Sequence, residues 1–324
     1  MSVHALTPAG EPGDVYLAAY LAPFEAYLAD EAVSEILVNR PGEVWIEASG
    51  VMRRVDAPSV DDRQLKRLAE QVARVTHQGI NREQPLLAAT LPGGARVQFA
   101  GPPATRAHWT MAIRRHRMVD VPLDTFASGP LARADAAALP DPRADPLAYL
   151  SAAVSERRTI LISGGTSSGK TTFLNALLRQ VPADDRIILV EDTPEIRLAH
   201  MNAVGLVAVR GELGEAQVTT EDLLQAALRL RPDRIVLGEL RGREAVSFLR
   251  AINTGHPGSF STVHANSPAG ALEQIALMVM QWGLGLSRAD TLAYTRSVVD
   301  VVVQLERRDG RRQVVDILET RALD

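Results

Sequence analysis

Apolar residues recur at helical spacing over 15–28, where Tyr16, Leu17, Tyr20, Leu21, Phe24 and Leu28 share a face. They do so again over 61–76, where Leu65, Leu68, Val72 and Val75 form a stripe. Between these helices lie three short strand-like runs, 35–39, 43–47 and 51–55, with Pro41-Gly42 as a tight hairpin turn between the first two. Three more follow at 86–91, 95–100 and 109–114, the first pair joined by Pro92-Gly93-Gly94. This pattern predicts a complete α+β unit ending near residue 115, preceded by a Pro/Gly-rich stretch to about residue 13 that is expected to fray.

The pattern then breaks. Pro122, Pro130, Pro140, Pro142 and Pro146 punctuate an Ala-rich stretch that reads as a linker with room for one short helix. Beyond it, strands predicted at 159–162, 186–190, 205–209, 235–237, 260–263 and 298–305 alternate with helices at 147–156, 170–180, 220–230, 242–253, 269–280 and 287–296. Repeated βα units predict a mostly parallel, buried sheet with helices on both faces. A last strand, 313–318, follows the turn Asp309-Gly310. The expected domains are therefore 1–115, a linker over 116–146, and 147–324.

Composition narrows the function. Of 324 residues, 46% are hydrophobic but only 4% aromatic, so the cores are aliphatic. The net charge of −4 weighs against a dedicated nucleic-acid binder, which carries a basic excess. Cysteine is absent, which excludes disulfides, a thiolate nucleophile and any cysteine zinc module. No run approaches the length of a membrane span, and the start lacks a basic segment followed by an apolar one. The expected place is the cytosol, with room for peripheral attachment to a membrane machine.

The chemistry concentrates at the predicted strand ends. Gly164-Gly165-Thr166-Ser167-Ser168-Gly169-Lys170-Thr171 fits the phosphate-loop pattern, and it lies between an apolar strand and a helix. Its backbone N–H groups would curl around a phosphate chain. Lys170 would reach the β- and γ-phosphates, and the Thr171 hydroxyl would hold Mg²⁺. The strand 235–237 runs through Gly238 into Glu239, a carboxylate aimed at Mg²⁺ or the attacking water. The strand 186–190 runs into Glu191, Asp192 and Glu195, and a sheet's carboxyl edge is where such folds place ligands. Either Glu191 or Glu195 is the candidate general base, and Glu191 a further candidate for the metal. His264 follows the strand 260–263 and is a candidate sensor of the γ-phosphate, although a lone histidine is more often structural. His256 is assigned to its glycine-bearing loop. Arg231, Arg234, Arg241 and Arg243 flank the Glu239 strand, either as an arginine finger or as solvated edge charges. In the first domain, Arg96 and the run Arg114-Arg115-His116-Arg117 offer cations to a nucleotide, an acidic lipid or a partner protein.

Four segments occur in order: 164–172 (GGTSSGKTT), 191–195 (EDTPE), 229–242 (RLRPDRIVLGELRG) and 253–267 (NTGHPGSFSTVHANS). Together they resemble the Walker A, Asp, Walker B and His boxes of the type II/type IV secretion ATPase superfamily. Segments 33–47, 84–99 and 112–115 resemble its N-terminal domain, in the branch that powers type IV secretion and conjugation. The resemblance implies an α/β fold in which a RecA-like P-loop ATPase domain is joined by a long linker to a smaller N-terminal α+β domain. It implies ATP and Mg²⁺, with Gly164 to Thr172 holding the nucleotide. It also implies first-domain arginines on the nucleotide, at Arg96 and Arg114 with Arg115 as a register alternative. The implied assembly is a homohexamer, peripheral to the cytoplasmic face of the inner membrane, working with inner-membrane secretion components on an exported protein or DNA–protein substrate. The missing cysteines agree, since type II secretion ATPases usually carry a four-cysteine metal module. Alternatives are a pilus-assembly ATPase of the same superfamily, a conjugative nucleic-acid motor, or a nucleotide-binding scaffold without turnover. No strong nucleic-acid binding is expected of a net-acidic chain.

Overall fold

The computed structural model describes residues 12–115, 122, 139–211, 216–283 and 285–323. Most of the expected linker (116–121 and 123–138), its short helix and the first eleven residues lie outside them.

The expected first helix is divided. Helix α1 (Pro12–Leu21) gives way to a 3-10 turn at Ala22–Phe24 before α2 (Glu25–Ala29). Pro23 lacks an N–H, so it cannot continue the helical hydrogen-bond ladder. Strands β1 (Val33–Val38), β2 (Gly42–Ala48) and β3 (Val51–Ala57) follow, and Gly42 supplies the positive φ of 85° that the tight turn needs. Helix α3 (Asp62–Val75) starts where Asp61 accepts from the N–H of Gln64 at 2.7 Å. Its stripe of Leu65, Leu68, Ala69, Val72 and Ala73 is buried. Strands β4 (Leu86–Thr90), β5 (Arg96–Ala100) and β6 (Thr110–Arg114) complete an antiparallel six-stranded sheet in the order β3-β2-β1-β6-β5-β4. The helices cover one face of it around a core that includes Phe24, Ile36, Ile46, Leu68, Phe99 and Ile113.

The remaining chain alternates as expected. It runs α4 (Pro146–Ser155), β7 (Ile160–Gly164), α5 (Lys170–Leu178), β8 (Ile187–Glu191) and β9 (Ala203–Val207). A two-residue ribbon of β10 (Val209–Arg210) and β11 (Gln217–Val218) comes next, then α6 (Thr220–Arg229) and β12 (Arg234–Leu237). The chain ends with α7 (Glu244–Asn253), β13 (Phe260–Val263), α8 (Pro268–Gln281), α9 (Arg288–Val298), β14 (Val301–Arg308) and β15 (Arg311–Glu319).

Packing groups Met1–Arg115 with Ala183–Gly238 in one compact unit, and His116–Pro182 with Glu239–Asp324 in a second. In the first, β12, β8 and β9 pair in parallel, in that order. In the second, β7 pairs in parallel with both β13 and β14, and β15 closes the edge antiparallel to β14. The strands β7, β8, β12 and β13 are buried along their whole length, as parallel strands covered on both faces are.

Candidate nucleotide site

The glycine loop joins β7 to α5. Gly164 cannot carry a side chain: a Cβ there would meet the Ser168 hydroxyl and lie 2.8 Å from the carbonyl oxygen of Leu305. Ser167 and Gly169 adopt positive φ angles of 62° and 98°, which fold the loop back over the helix start. Gly169 caps α5 without a side-chain hydrogen bond, which places the helix N-terminus at the glycine loop, the end of a helix that favours anions. Gly165, Thr166 and Ser167 are exposed, while Ser168 and Lys170 are buried. Beside the loop opens a cavity of about 440 Å³ bordered by Gly165, Thr166, Asn266 and Gln304. A phosphate chain and its cation fit these features: a helix N-terminus, a curled loop, an ammonium, and the Thr171 hydroxyl one residue on.

Lys170 begins a chain of polar contacts. Its Nζ donates to the carbonyl oxygens of Gly164 at 2.9 Å and Gly165 at 3.1 Å, and lies 3.2 Å from Nδ1 of His264. The other ring nitrogen, Nε2, is 2.7 Å from Oε1 of Glu239. The imidazole thus stands between the Lys170 ammonium and the Glu239 carboxylate, within reach of both. Arg241 clasps the second oxygen of Glu239, with Nε at 2.5 Å. Burial pushes the Lys170 ammonium below its usual pKa. The Glu239 carboxylate opposes that effect and Arg241 adds to it. Thus Lys170, His264 and the neighbouring pair Glu239 and Arg241, from three separated segments, converge within the second unit.

The first unit treats its candidate residues differently. Glu191 ends β8 buried, with Oε1 accepting from the N–H groups of Glu195 at 3.0 Å and Ile196 at 2.8 Å. Its other oxygen is paired with Arg106. Asp192 accepts from Arg210 at 3.1 Å and from the Thr220 hydroxyl at 2.8 Å. Glu195 is exposed at the end of the turn that Glu191 organises. Gly238 passes Glu191 closely, since a Cβ there would lie 3.3 Å from Cγ of Glu191. Arg115 donates to the backbone carbonyls of Asp30 and Val33. Arg96 and Arg114 instead open onto a cavity of about 430 Å³ with Glu35, Arg229 and Arg231.

The family model of the type II/IV secretion system proteins matches residues 18–316. The chain belongs to that family. Among curated members, it is 35% identical to the type IV secretion system protein VirB11 of Bartonella henselae, over 92% of this chain and 91% of the relative. It is 39% identical to PtlH of Bordetella pertussis, over 92% and 93%. Its structure is similar to that of the Brucella suis VirB11 ATPase solved in complex with sulphate, with a TM-score of 0.85 and 32% identity over 96% of both chains. The family's RecA-like architecture with an N-terminal domain is therefore the fold of this chain.

Three site features escaped the sequence reading. Arg312 on β15 packs over Gly169, so that a Cβ on the glycine would lie 2.5 Å from its Cδ, and it donates to the Thr172 hydroxyl at 3.1 Å. Arg106 neutralises Glu191, and Gln304 lines the cavity beside the loop. Each comes from a segment with no motif, and only strand pairing reveals its place. Among the described residues, no helix is long and apolar enough to cross a membrane.

Proposed function

We propose that this chain is a secretion-system traffic ATPase that hydrolyses Mg-ATP as a homohexamer and uses the cycle to move an exported protein or DNA–protein substrate. Family membership supports the traffic-ATPase role. The observation that carries the catalytic reading is the convergence of Lys170, His264 and Glu239 behind a correctly strained glycine loop. The sulphate-bound Brucella suis relative adds an anion of phosphate size.

Thr171 and Glu239 would hold Mg²⁺, which would supply positive charge against the triphosphate. The N–H groups of the Gly164–Thr172 segment bind the phosphates. Lys170 leaves its loop carbonyls to neutralise charge on the transferring group. His264 loses that ammonium on Nδ1 and reports the change to Glu239 and Arg241. Glu195, exposed at the end of the 191–195 turn, takes the proton of the attacking water. Water bonds to the γ-phosphorus as the bridging oxygen leaves with its electron pair on ADP. Glu191 is buried and accepts from the N–H groups of Glu195 and Ile196, so it anchors that turn and leaves the exposed Glu195 as the base. Residues 1–115 form the lobe moved by 147–324 through the linker over 116–146. The ring works at the cytoplasmic face of the inner membrane with that membrane's secretion components.

Steady-state phosphate release from the full chain tests the reading. Lys170→Ala is expected to lose at least about 100-fold in turnover. Wild-type turnover in that variant would falsify the site. Mass photometry with and without ATP tests the ring: six-subunit particles support it, and monomers active at full rate refute it.

A further inference from the structure

Strand register in the first unit lines up a row of charges that the proposed function does not explain. Glu47, Glu35, Arg114, Arg96 and Thr90 stand opposite one another across β2, β1, β6, β5 and β4. Like charges therefore adjoin twice, an arrangement that destabilises a sheet unless something neutralises each pair. At the carboxylate end the protein does so itself: Arg231 reaches Glu47 at 2.5 Å and Asp233 at 2.8 Å. At the arginine end it does not. Nε of Arg114 lies 3.5 Å from Oε1 of Glu35, a loose pair, with the Arg114 side chain 74% exposed. Arg96 has no carboxylate partner among the described residues. Both guanidiniums, with Arg229 from the end of α6, open on the 430 Å³ cavity whose floor includes the buried Glu35.

We propose that Glu35 is a positioning residue: its carboxylate latches Arg114 while no anion is bound and yields it to a phosphate group, taking up a proton as it does so. This rests on the reading of Arg96 and Arg114 as nucleotide contacts. The groups facing Glu35 are Arg114 on β6, Glu47 on β2, Arg231 after α6 and Arg186 just before β8. Burial pushes the carboxyl up to about 7; Arg114 pulls it down, Glu47 adds to the rise, and Arg231 and Arg186 also pull down. Near neutral pH the side chain therefore stands between its two states. An arriving phosphate removes the largest opposing cation and brings negative charge, and both changes favour the protonated form. By linkage, one carboxyl moving from partly to fully protonated must make binding tighter as pH falls.

Calorimetric titration of the full chain with Mg-ATPγS, in buffers of different ionisation enthalpy at pH 7.5, counts the protons directly. Wild type is expected to take up a fraction of a proton per site. Its affinity should fall between pH 6 and pH 8.5 by about threefold to tenfold more than that of Glu35→Gln, the ligand's own ionisation cancelling between the two proteins. Glu35→Gln should bind with no excess proton uptake. Uptake and slope unchanged in Glu35→Gln would overturn the latch while leaving the arginine contacts intact. If that variant does not fold, Arg114→Ala serves: weaker binding with less proton uptake supports the latch, and weaker binding with unchanged uptake overturns it. Wild-type affinity in both Arg96→Ala and Arg114→Ala would instead sink the underlying nucleotide reading.

Discussion

The two units hold their polar clusters in opposite ways. In the second, Lys170, His264, Glu239 and Arg241 form a closed chain in which each charge has a partner within about hydrogen-bond reach. In the first, the sheet sets Arg114 beside Arg96 and gives that pair one loosely held carboxylate. The closed chain is poised: ligand must take Lys170 from Gly164 and Gly165, and the rest of the chain then feels its departure. The open row is deficient: two adjoining guanidiniums share one loose carboxylate, so an anion would stabilise it. A binding residue is recognised in one case by what it would release and in the other by what it is missing.

The difference sets the sizes of the expected effects. The largest lies at the closed chain. Glu239→Gln removes the negative charge that faces His264 and Arg241, and turnover should drop by about 100- to 1,000-fold while ATP stays bound. Filter-retained ATP with little released phosphate is the signature, and loss of binding would break the assignment. Next comes Gly164→Ala, whose Cβ would collide with the Ser168 hydroxyl and the backbone of Leu305. A forced shift in a packed loop costs about 1–3 kcal/mol, read as a lower melting temperature together with weakened nucleotide affinity. A variant as stable and active as wild type would show that the loop has slack. His264→Ala should cost about tenfold in kcat with KM nearly unchanged, because Lys170 keeps its charge but loses the relay. A pure KM effect would make the histidine a binding group only.

At the open row the effects shrink. Arg114→Ala should weaken nucleotide binding by about threefold to tenfold, the range of one solvent-exposed charge-assisted contact. Smallest is a stability effect of Glu35. Its folded-state carboxyl is raised by burial, so ionisation opposes folding, and the stability present below the ordinary carboxyl range is lost as pH rises through about 7. Glu35→Gln should therefore gain stability relative to wild type at pH 8 compared with pH 6. A constant difference between the two proteins across that range would show that the carboxyl titrates normally.

Legibility followed the same division. The glycine loop, the Glu239 strand and α3 were read from spacing alone, because each depends on residues within a few positions of one another. The carboxylates after β8 were seen but not sorted. Only Arg106, 85 positions from Glu191, shows which one is the anchor. The choice between Arg114 and Arg115 needed the sheet as well: a strand sends neighbours to opposite faces, and only register shows which face carries the cavity. The first helix was read as continuous across Pro23, where the stripe of apolar residues persisted although the hydrogen-bond ladder could not. The charge row of Glu35 and Arg114 was invisible for the plainest reason. Its members are adjacent only after β1 and β6 have paired.

A structure of the full chain with Mg-ATPγS would test the central claim most directly. The account predicts the triphosphate on the N–H groups of the loop that ends at Lys170, with the Lys170 ammonium moved from the carbonyls of Gly164 and Gly165 to the phosphates. Nucleotide bound elsewhere, or bound there with Lys170 still on its own loop, would contradict it.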